Sequence, residues 1–240
     1  MKIAICGDSI SEGIGSLKIN YEPLLQEKFK NAEIKNFAHT GSMINHMDQI
    51  ELNIRKFDPD ILILFYGNVD AMTRPKSESV FYRFLPNRYK KNGMLSPRAL
   101  FTRKFFVRKL QKIESLFRIC LNKLLIKICG YEVWMTVDKF EEKYTEVLKK
   151  YSGKNIILIS TVPVYEKWFP HTNEQYVIYN KIIKELSKKN GCEFINAYDI
   201  LSKYEWNNVF LADRFHLSQG GYEVIAEEIS KAICKKISCQ

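Results

Sequence analysis

Long apolar runs are missing from this chain: nowhere in its 240 residues do about 18 apolar residues follow one another, so the usual signature of a membrane-spanning helix is absent. The N-terminus has one lysine and then only Ile3 to Cys6 before Gly7, too little for the hydrophobic region of a secretory signal. A buried strand and a cytoplasmic location are expected there. Metal-ligand spacing is also missing. The six cysteines (Cys6, Cys120, Cys129, Cys192, Cys234, Cys239) form no Cys-x-x-Cys pair, and His39, His46, His171 and His216 stand apart. Free thiols are expected, with no metal and no cofactor. No internal repeat or low-complexity tract occurs.

Acidic residues are scarce in one segment only. Between Ala71 and Gly130 the chain holds 15 Lys/Arg against 2 Asp/Glu, whereas the remainder holds 22 against 25. The overall charge of +10 therefore belongs to that segment. No recognised nucleic-acid motif accompanies it, so nucleic acid is not an expected partner.

What is present is a core. Apolar residues make up 46% and aromatics 13%, enough for one well-buried domain over residues 1–240. Strands are expected at Lys2–Cys6, Glu33–Phe37, Ile61–Tyr66, Asn155–Ser160 and Glu193–Asn196. The uninterrupted run Ile61 to Tyr66 suits a parallel strand buried on both faces. Helices are expected at Leu17–Lys30, Met43–Phe57, Val137–Tyr151, Asn173–Lys189 and Gly221 to Lys236. This alternation predicts a three-layer, doubly wound α/β fold: five parallel strands in the flavodoxin-like order 2-1-3-4-5. Ligands of such sheets bind beyond the C-terminal strand ends, where Ser9, Gly41, Asn68 and Thr161 all fall.

A helical pattern also spans Arg98 to Ile128, with Gly130 as its stop. Its apolar stripe is Phe106, Leu110, Ile113, Phe117, Leu121, Leu124 and Ile128. Packing of that stripe on the core, with a solvated basic face, is the expectation. The segment 71–136 is expected to be a basic, aromatic and helical insertion.

Ser9 follows strand one, and Asp213-Arg214-Phe215-His216 comes near the other end of the chain. Together they are the parts of a hydrolytic triad in the order Ser, Asp, His. A serine hydroxyl needs a base to become a nucleophile. His216 can take and return the proton, and Asp213 can hold the imidazole in the right tautomer. A lone Gly-Asp-Ser is mostly a turn, and a lone Asp-x-x-His commonly starts a helix; Ser218 could equally cap the last one. Their joint occurrence carries the inference. His39 and His171 are expected to be structural or pocket-lining.

These residues resemble the SGNH (GDSL-type) hydrolase superfamily. Gly7-Asp8-Ser9 matches its first block, Gly41 its second, Gly67-Asn68-Val69-Asp70 its third, and Asp213 with His216 its fourth. The resemblance covers residues 1–70 and about 137–236. It implies a serine esterase, with Ser9, Asp213 and His216 catalytic and with Ser9, Gly41 and Asn68 forming the oxyanion hole. One departure stands out. The family block reads Gly-x-Asn-Asp, but here valine occupies the third position, and valine cannot donate. Either a backbone adjustment brings Asn68 into place, or Asn45 or Thr40 supplies the donor.

The resemblance also implies the substrate classes. The expectation favoured here is O-acetyl removal or transfer on a carbohydrate, similar to bacterial surface-polysaccharide enzymes. Arg74, Tyr165 and Trp168 are expected to line the sugar cleft. The alternatives are a lipid or lysophospholipid esterase docked by the basic helix, and a non-catalytic binding module. Segment 71–130 is accordingly expected to meet an anionic glycan or an anionic membrane surface, with dimerisation as a third option.

Overall fold

The structure, a computed structural model, describes residues 1–14, 20–90 and 95–238. Leu17 and Cys239, both named above, lie outside the described residues. The strands are β1 (Lys2–Gly7), β2 (Glu33–Asn36), β3 (Ile61–Phe65), β4 (Arg74–Pro75), β5 (Tyr131–Glu132), β6 (Asn155–Ile159) and β7 (Glu193–Ile195). The helices are α1 (Ser9–Glu12), α2 (Tyr21–Lys28), α3 (Met47–Phe57), α4 (Val80–Arg83), α5 (Asn87–Lys90), α6 (Phe105–Cys129), α7 (Val137–Lys150), α8 (Thr172–Lys189), α9 (Ala197–Leu201), α10 (Trp206–Val209) and α11 (Gln219–Ser238).

Five strands form one parallel sheet in the order β2-β1-β3-β6-β7, the doubly wound order expected for the five main strands. Central β3 pairs with β1 through Ile5–Ile63 and Cys6–Leu64, and with β6 through Ile63–Ile157. Every residue of β3 is buried, because helices cover both faces of the sheet. Helix α11 packs with α2, and α7 packs with α8. Right-handed crossovers put the first pair on one face and the second on the other.

Helix α7 shows why this works. It buries Phe140, Tyr144, Val147 and Leu148, spaced one, two and two-plus turns apart on one stripe. Helix α3 does the same with Met47, Ile50, Ile54 and Phe57, while Leu52 points to solvent at 72% exposure.

The basic segment leaves the sheet after β3 and returns before α7. At its base, β4 and β5 pair antiparallel, Arg74 with Glu132 and Pro75 with Tyr131. Tyr131 stacks on His171 at 4.9 Å, fastening this ribbon to the start of α8. Helix α6 starts at Phe105, not near Arg98, because residues 98–104 are held as a loop. Ser115 Oγ accepts from Arg98 N at 3.0 Å, and Gln111 Oε1 accepts from Thr102 N at 2.9 Å. It ends where Gly130 N donates to Ile126 O.

The packing of α6 corrects one expectation. The side it buries carries Ser115, Ile119, Asn122, Leu125 and Ile126. The stripe through Phe106, Leu110, Ile113 and Phe117 faces outward instead.

Candidate active site

Ser9 owes its position to the tight exit from β1. A Cβ on Gly7 would meet Ser11 Oγ at 2.3 Å and Phe65 O at 2.8 Å, so only glycine lets strand and helix approach this closely. Asp8 then caps α1, its Oδ1 accepting from Ile10 N at 2.9 Å. Ser9 is the first residue of that short helix and is 5% exposed.

The Asp-x-x-His turn is pinned from outside. Phe210 and Leu217 form an isolated antiparallel bridge, Leu211 N donates to His216 O at 2.8 Å, and Arg214 takes φ 59° between them. Inside the turn, Asp213 Oδ1 accepts from both Phe215 N and His216 N at 3.1 Å. Its Oδ2 meets His216 Nδ1 at 2.5 Å. The three-residue spacing thus lets one carboxylate fix both the backbone of the turn and the imidazole. The far nitrogen, His216 Nε2, lies 2.9 Å from Ser9 Oγ. Groups 207 residues apart in sequence form one continuous relay, with Asp213 2% exposed behind it.

These side chains border a cavity of about 500 Å³ at the C-terminal edge of the sheet. Ile14, Val69, Met72 and Phe215 supply apolar wall, Gly41 and Thr40 a second side, and Ser96, Pro97 and Ala99 of the basic segment a third. A larger hollow of about 840 Å³ at the opposite sheet edge, lined by Met1, Asp60 and Lys154, holds none of the triad groups.

Gly41 stands in the cavity wall with φ 75°, a left-handed conformation that suits glycine. Neither its amide nor that of Ser9 has a protein acceptor among the described residues.

Asn68 does not join them. It is fully buried, its Oδ1 accepts from Val162 N at 2.9 Å, and its carbonyl accepts from Tyr176 OH at 2.7 Å. Its Nδ2 and Asp8 Oδ2 are both buried without a partner in hydrogen-bond range, though Asn68 stands near enough to favour the Asp8 carboxylate. Val69, one position later, takes the place in the wall. The expected backbone adjustment is absent, and the amide is directed inward. The other two expected donors fare no better. Asn45 is exposed away from the wall, and the Thr40 hydroxyl is engaged by Glu12.

The expected sugar contacts divide. Arg74 is in the cavity wall. Tyr165 and Trp168 are not: Tyr165 packs edge-on against Trp168 at 5.5 Å and Trp206 at 5.8 Å, and its N–H donates to Arg214 O. They brace the Asp-x-x-His turn from behind, because the loop after β6 runs under that turn. His39 and His46 lie together, ring centroids 6.0 Å apart, outside the wall.

Two residues escaped the sequence reading. Trp134 lines the cavity and stacks on the Arg74 guanidinium, whose carbon lies 3.2 Å from the ring centroid. Asp70 closes the Gly67–Asp70 block: its Oδ1 accepts from Ile44 N at 2.9 Å and its Oδ2 from Gly67 N at 3.0 Å. It ties the turn after Gly41 to the exit of β3. Its position as the final acid of that block was the available signal; Trp134 carried none beyond its nearness to the end of the segment.

Burial pushes the Asp70 carboxyl up to about 7 and that of Asp8 up to about 6. Arg74 is lowered to about 10 by burial; Val69 O and Met72 O accept from its Nη1 at 3.2 and 3.1 Å. No salt bridge to it is found among the described residues.

A serine–histidine–aspartate relay at the C-terminal edge of a five-stranded parallel sheet defines the class as an SGNH-type hydrolase. The sequence profile of the GDSL-like lipase/acylhydrolase family matches residues 5–224, and the chain belongs to that family. No curated relative matches it. Among solved structures it is similar to the lipase/acylhydrolase from Enterococcus faecalis (17% identity, 98% of this chain and 96% of the other, TM-score 0.65). It is also similar to the acetyl xylan esterase AlAXEase (20% identity, 97% and 100%, TM-score 0.62). A third is a catalytic mutant of an acetylxylan esterase from Geobacillus stearothermophilus (14% identity, 97% and 93%, TM-score 0.61). At such identities the likeness is one of fold. The protein is an acyl-ester hydrolase of this family.

Proposed function

We propose that the protein is a serine esterase that removes or transfers a small acyl group, O-acetyl on a carbohydrate, through an acyl-enzyme on Ser9. The observation that carries this is the 2.9 Å contact of His216 Nε2 with Ser9 Oγ, backed by Asp213. In support, the catalytic mutants of the Geobacillus acetylxylan esterase replace a serine, an aspartate, and a histidine three residues after the aspartate.

The steps follow from the positions. His216 Nε2 takes the Ser9 proton as Oγ attacks the acyl carbon. The charge that develops on the carbonyl oxygen meets the Ser9 and Gly41 amides, two donors in the wall without a protein acceptor among the described residues. Asp213, held by two backbone amides, keeps the imidazole oriented and balances its positive charge. His216 then protonates the leaving alcohol. Water or a second hydroxyl reverses these steps, which leaves hydrolysis and transfer equally open to the same machinery. Val69 leaves the oxyanion hole without the side-chain amide of the family block.

Arg74 and Trp134 favour a carbohydrate alcohol bearing an acidic group. A planar guanidinium stacked on an indole, with two of its nitrogens unused by Val69 O and Met72 O, suits a carboxylate at hydrogen-bond range. A second hollow of about 310 Å³, lined by Arg74, Tyr82, Tyr89 and Trp134, extends the cleft on that side. The free thiols of Cys6, Cys120, Cys129, Cys192 and Cys234 fit a cytoplasmic setting.

The test is hydrolysis of p-nitrophenyl acetate by wild type and Ser9→Ala, followed by an acyl series from acetate to decanoate. Activity that survives Ser9→Ala sinks the triad assignment. A rate that rises toward decanoate sinks the acetyl preference. Arg74→Ala is expected to raise KM for acetylated acidic oligosaccharides about tenfold while leaving neutral ones unchanged.

A further inference from the structure

Helix α6 is amphipathic with most of its apolar side turned away from the protein; within the row Phe117 meets the ring of Tyr89, centroids 5.9 Å apart. Phe106, Leu110, Ile113, Phe117, Leu124 and Ile128 are each at least 50% exposed. At about 100° per residue they fall within an arc of about 60°, centred about 160° from the side that packs on the fold. Core-forming helices such as α7 have the reverse arrangement. A row of six large apolar side chains over about 33 Å of helix is far more than scattered surface exposure.

Charge says what covers it. From Arg103 to Lys127 there are eight Lys/Arg and one acid, Glu114. That acid is already engaged by Arg98 and Arg118, each at 2.6 Å. Lys109, Lys112, Lys123 and Lys127 are exposed and lie along one edge of the apolar arc. A second copy of the chain would set two such basic helices face to face. An anionic bilayer would take the apolar row into its acyl boundary and the lysines onto its head groups. No helix among the described residues is long and apolar enough to cross a membrane, so the fit is to the surface plane.

We propose that α6 is an in-plane anchor that seats the protein on an anionic lipid surface. The anchor is coupled to the cavity. Arg98 N donates to Ser115 Oγ at 3.0 Å and its guanidinium grips Glu114, so the 96–99 wall of the catalytic cavity is fixed to α6. Docking through the outer arc therefore leaves the cavity rim on the opposite side of α6, held to the helix and away from the bilayer. The proposal rests on the exposed helix and its charge, not on the acyl chemistry.

The experiment is co-sedimentation of the full chain with phosphatidylcholine vesicles, with and without phosphatidylglycerol, at low and high salt. Binding is expected only with phosphatidylglycerol and is expected to fall steeply with salt. Neutralising Lys109, Lys112 and Lys123 to Gln should weaken it about 100-fold, at about fivefold per charge. Leu110→Glu with Ile113→Glu should abolish it while leaving the thermal midpoint and p-nitrophenyl acetate turnover unchanged. Wild type that stays in the supernatant with both vesicles overturns the proposal, as does binding that the double-Glu variant retains. A concentration-dependent dimer that the double-Glu variant loses, without vesicle binding, assigns the face to a second copy instead.

Discussion

Helices α6 and α7 follow one another in the chain, separated by β5 and a short turn, and both carry an apolar stripe. They use it in opposite ways. Helix α7 presses Phe140 and Tyr144 into the sheet, whereas α6 turns Leu110 and Ile113 outward and packs through Ser115, Ile119 and Asn122. The hydrolase sheet buries its apolar stripes on itself; the segment between β4 and β5 leaves most of its helix's apolar side exposed. An amphipathic pattern thus specifies that a helix has a face, and says nothing of which neighbour that face will have.

The contrast can be broken at several strengths. The largest effect belongs to the sheet edge: Ser9→Ala should lower kcat on p-nitrophenyl acetate by at least about 10³-fold with the thermal midpoint unmoved. Next, Phe140→Ala should cost about 3–5 kcal/mol in urea unfolding, as a fully buried aromatic on α7. A loss below about 1 kcal/mol would mean that the α7 stripe is no more buried than that of α6.

Asn68 lies between site and core. With Val162 N dependent on its Oδ1, Asn68→Ala should cost about 1–3 kcal/mol of stability. Its effect on kcat in the folded fraction should stay under about threefold, where loss of an oxyanion donor costs about 10²–10³. A kcat loss of the latter size would restore Asn68 to the oxyanion hole.

Asp8 and Asp70 make the buried site sensitive to pH. Their carboxyl pKa values stand at about 6 and about 7 in the fold, above the ordinary 3.8, because burial disfavours the charge. Between those values the folded state holds protons that the unfolded state has released. Their contribution is therefore greatest below about pH 4 and declines as pH rises through about 6 to 7. Asp8→Asn should flatten the fall of the thermal midpoint across that window; an unchanged slope would remove Asp8 from the account. The smallest effect belongs to α6, where Leu110→Ala should change stability by no more than about 0.5 kcal/mol.

Much of the molecule was legible beforehand because its signals are local. The run Ile61 to Phe65 is typical of a parallel strand covered on both faces, and it is one. Gly7-Asp8-Ser9 combines a close approach with a helix cap, and Asp-x-x-His spaces a carboxylate to grip its own turn. The misreadings concern direction. Tyr165 and Trp168 follow a strand at the active edge yet brace the turn from behind, and Asn68 and Val69 exchange the roles that a one-residue offset suggests. Arg74 was foreseen in the wall, but its stacking partner Trp134 lies 60 residues away, across the whole excursion.

The residue order alone set the parallel sheet, the sequence of its strands and the identity of the relay groups, since each depends on periodicity or short spacing. Three-dimensional packing settled the rest: which of two adjacent residues enters the cavity wall, which aromatic meets Arg74, and which side of α6 is left bare. Those outcomes depend on contacts between segments far apart in the chain, where a turn of one residue reverses a side chain and leaves the pattern unchanged.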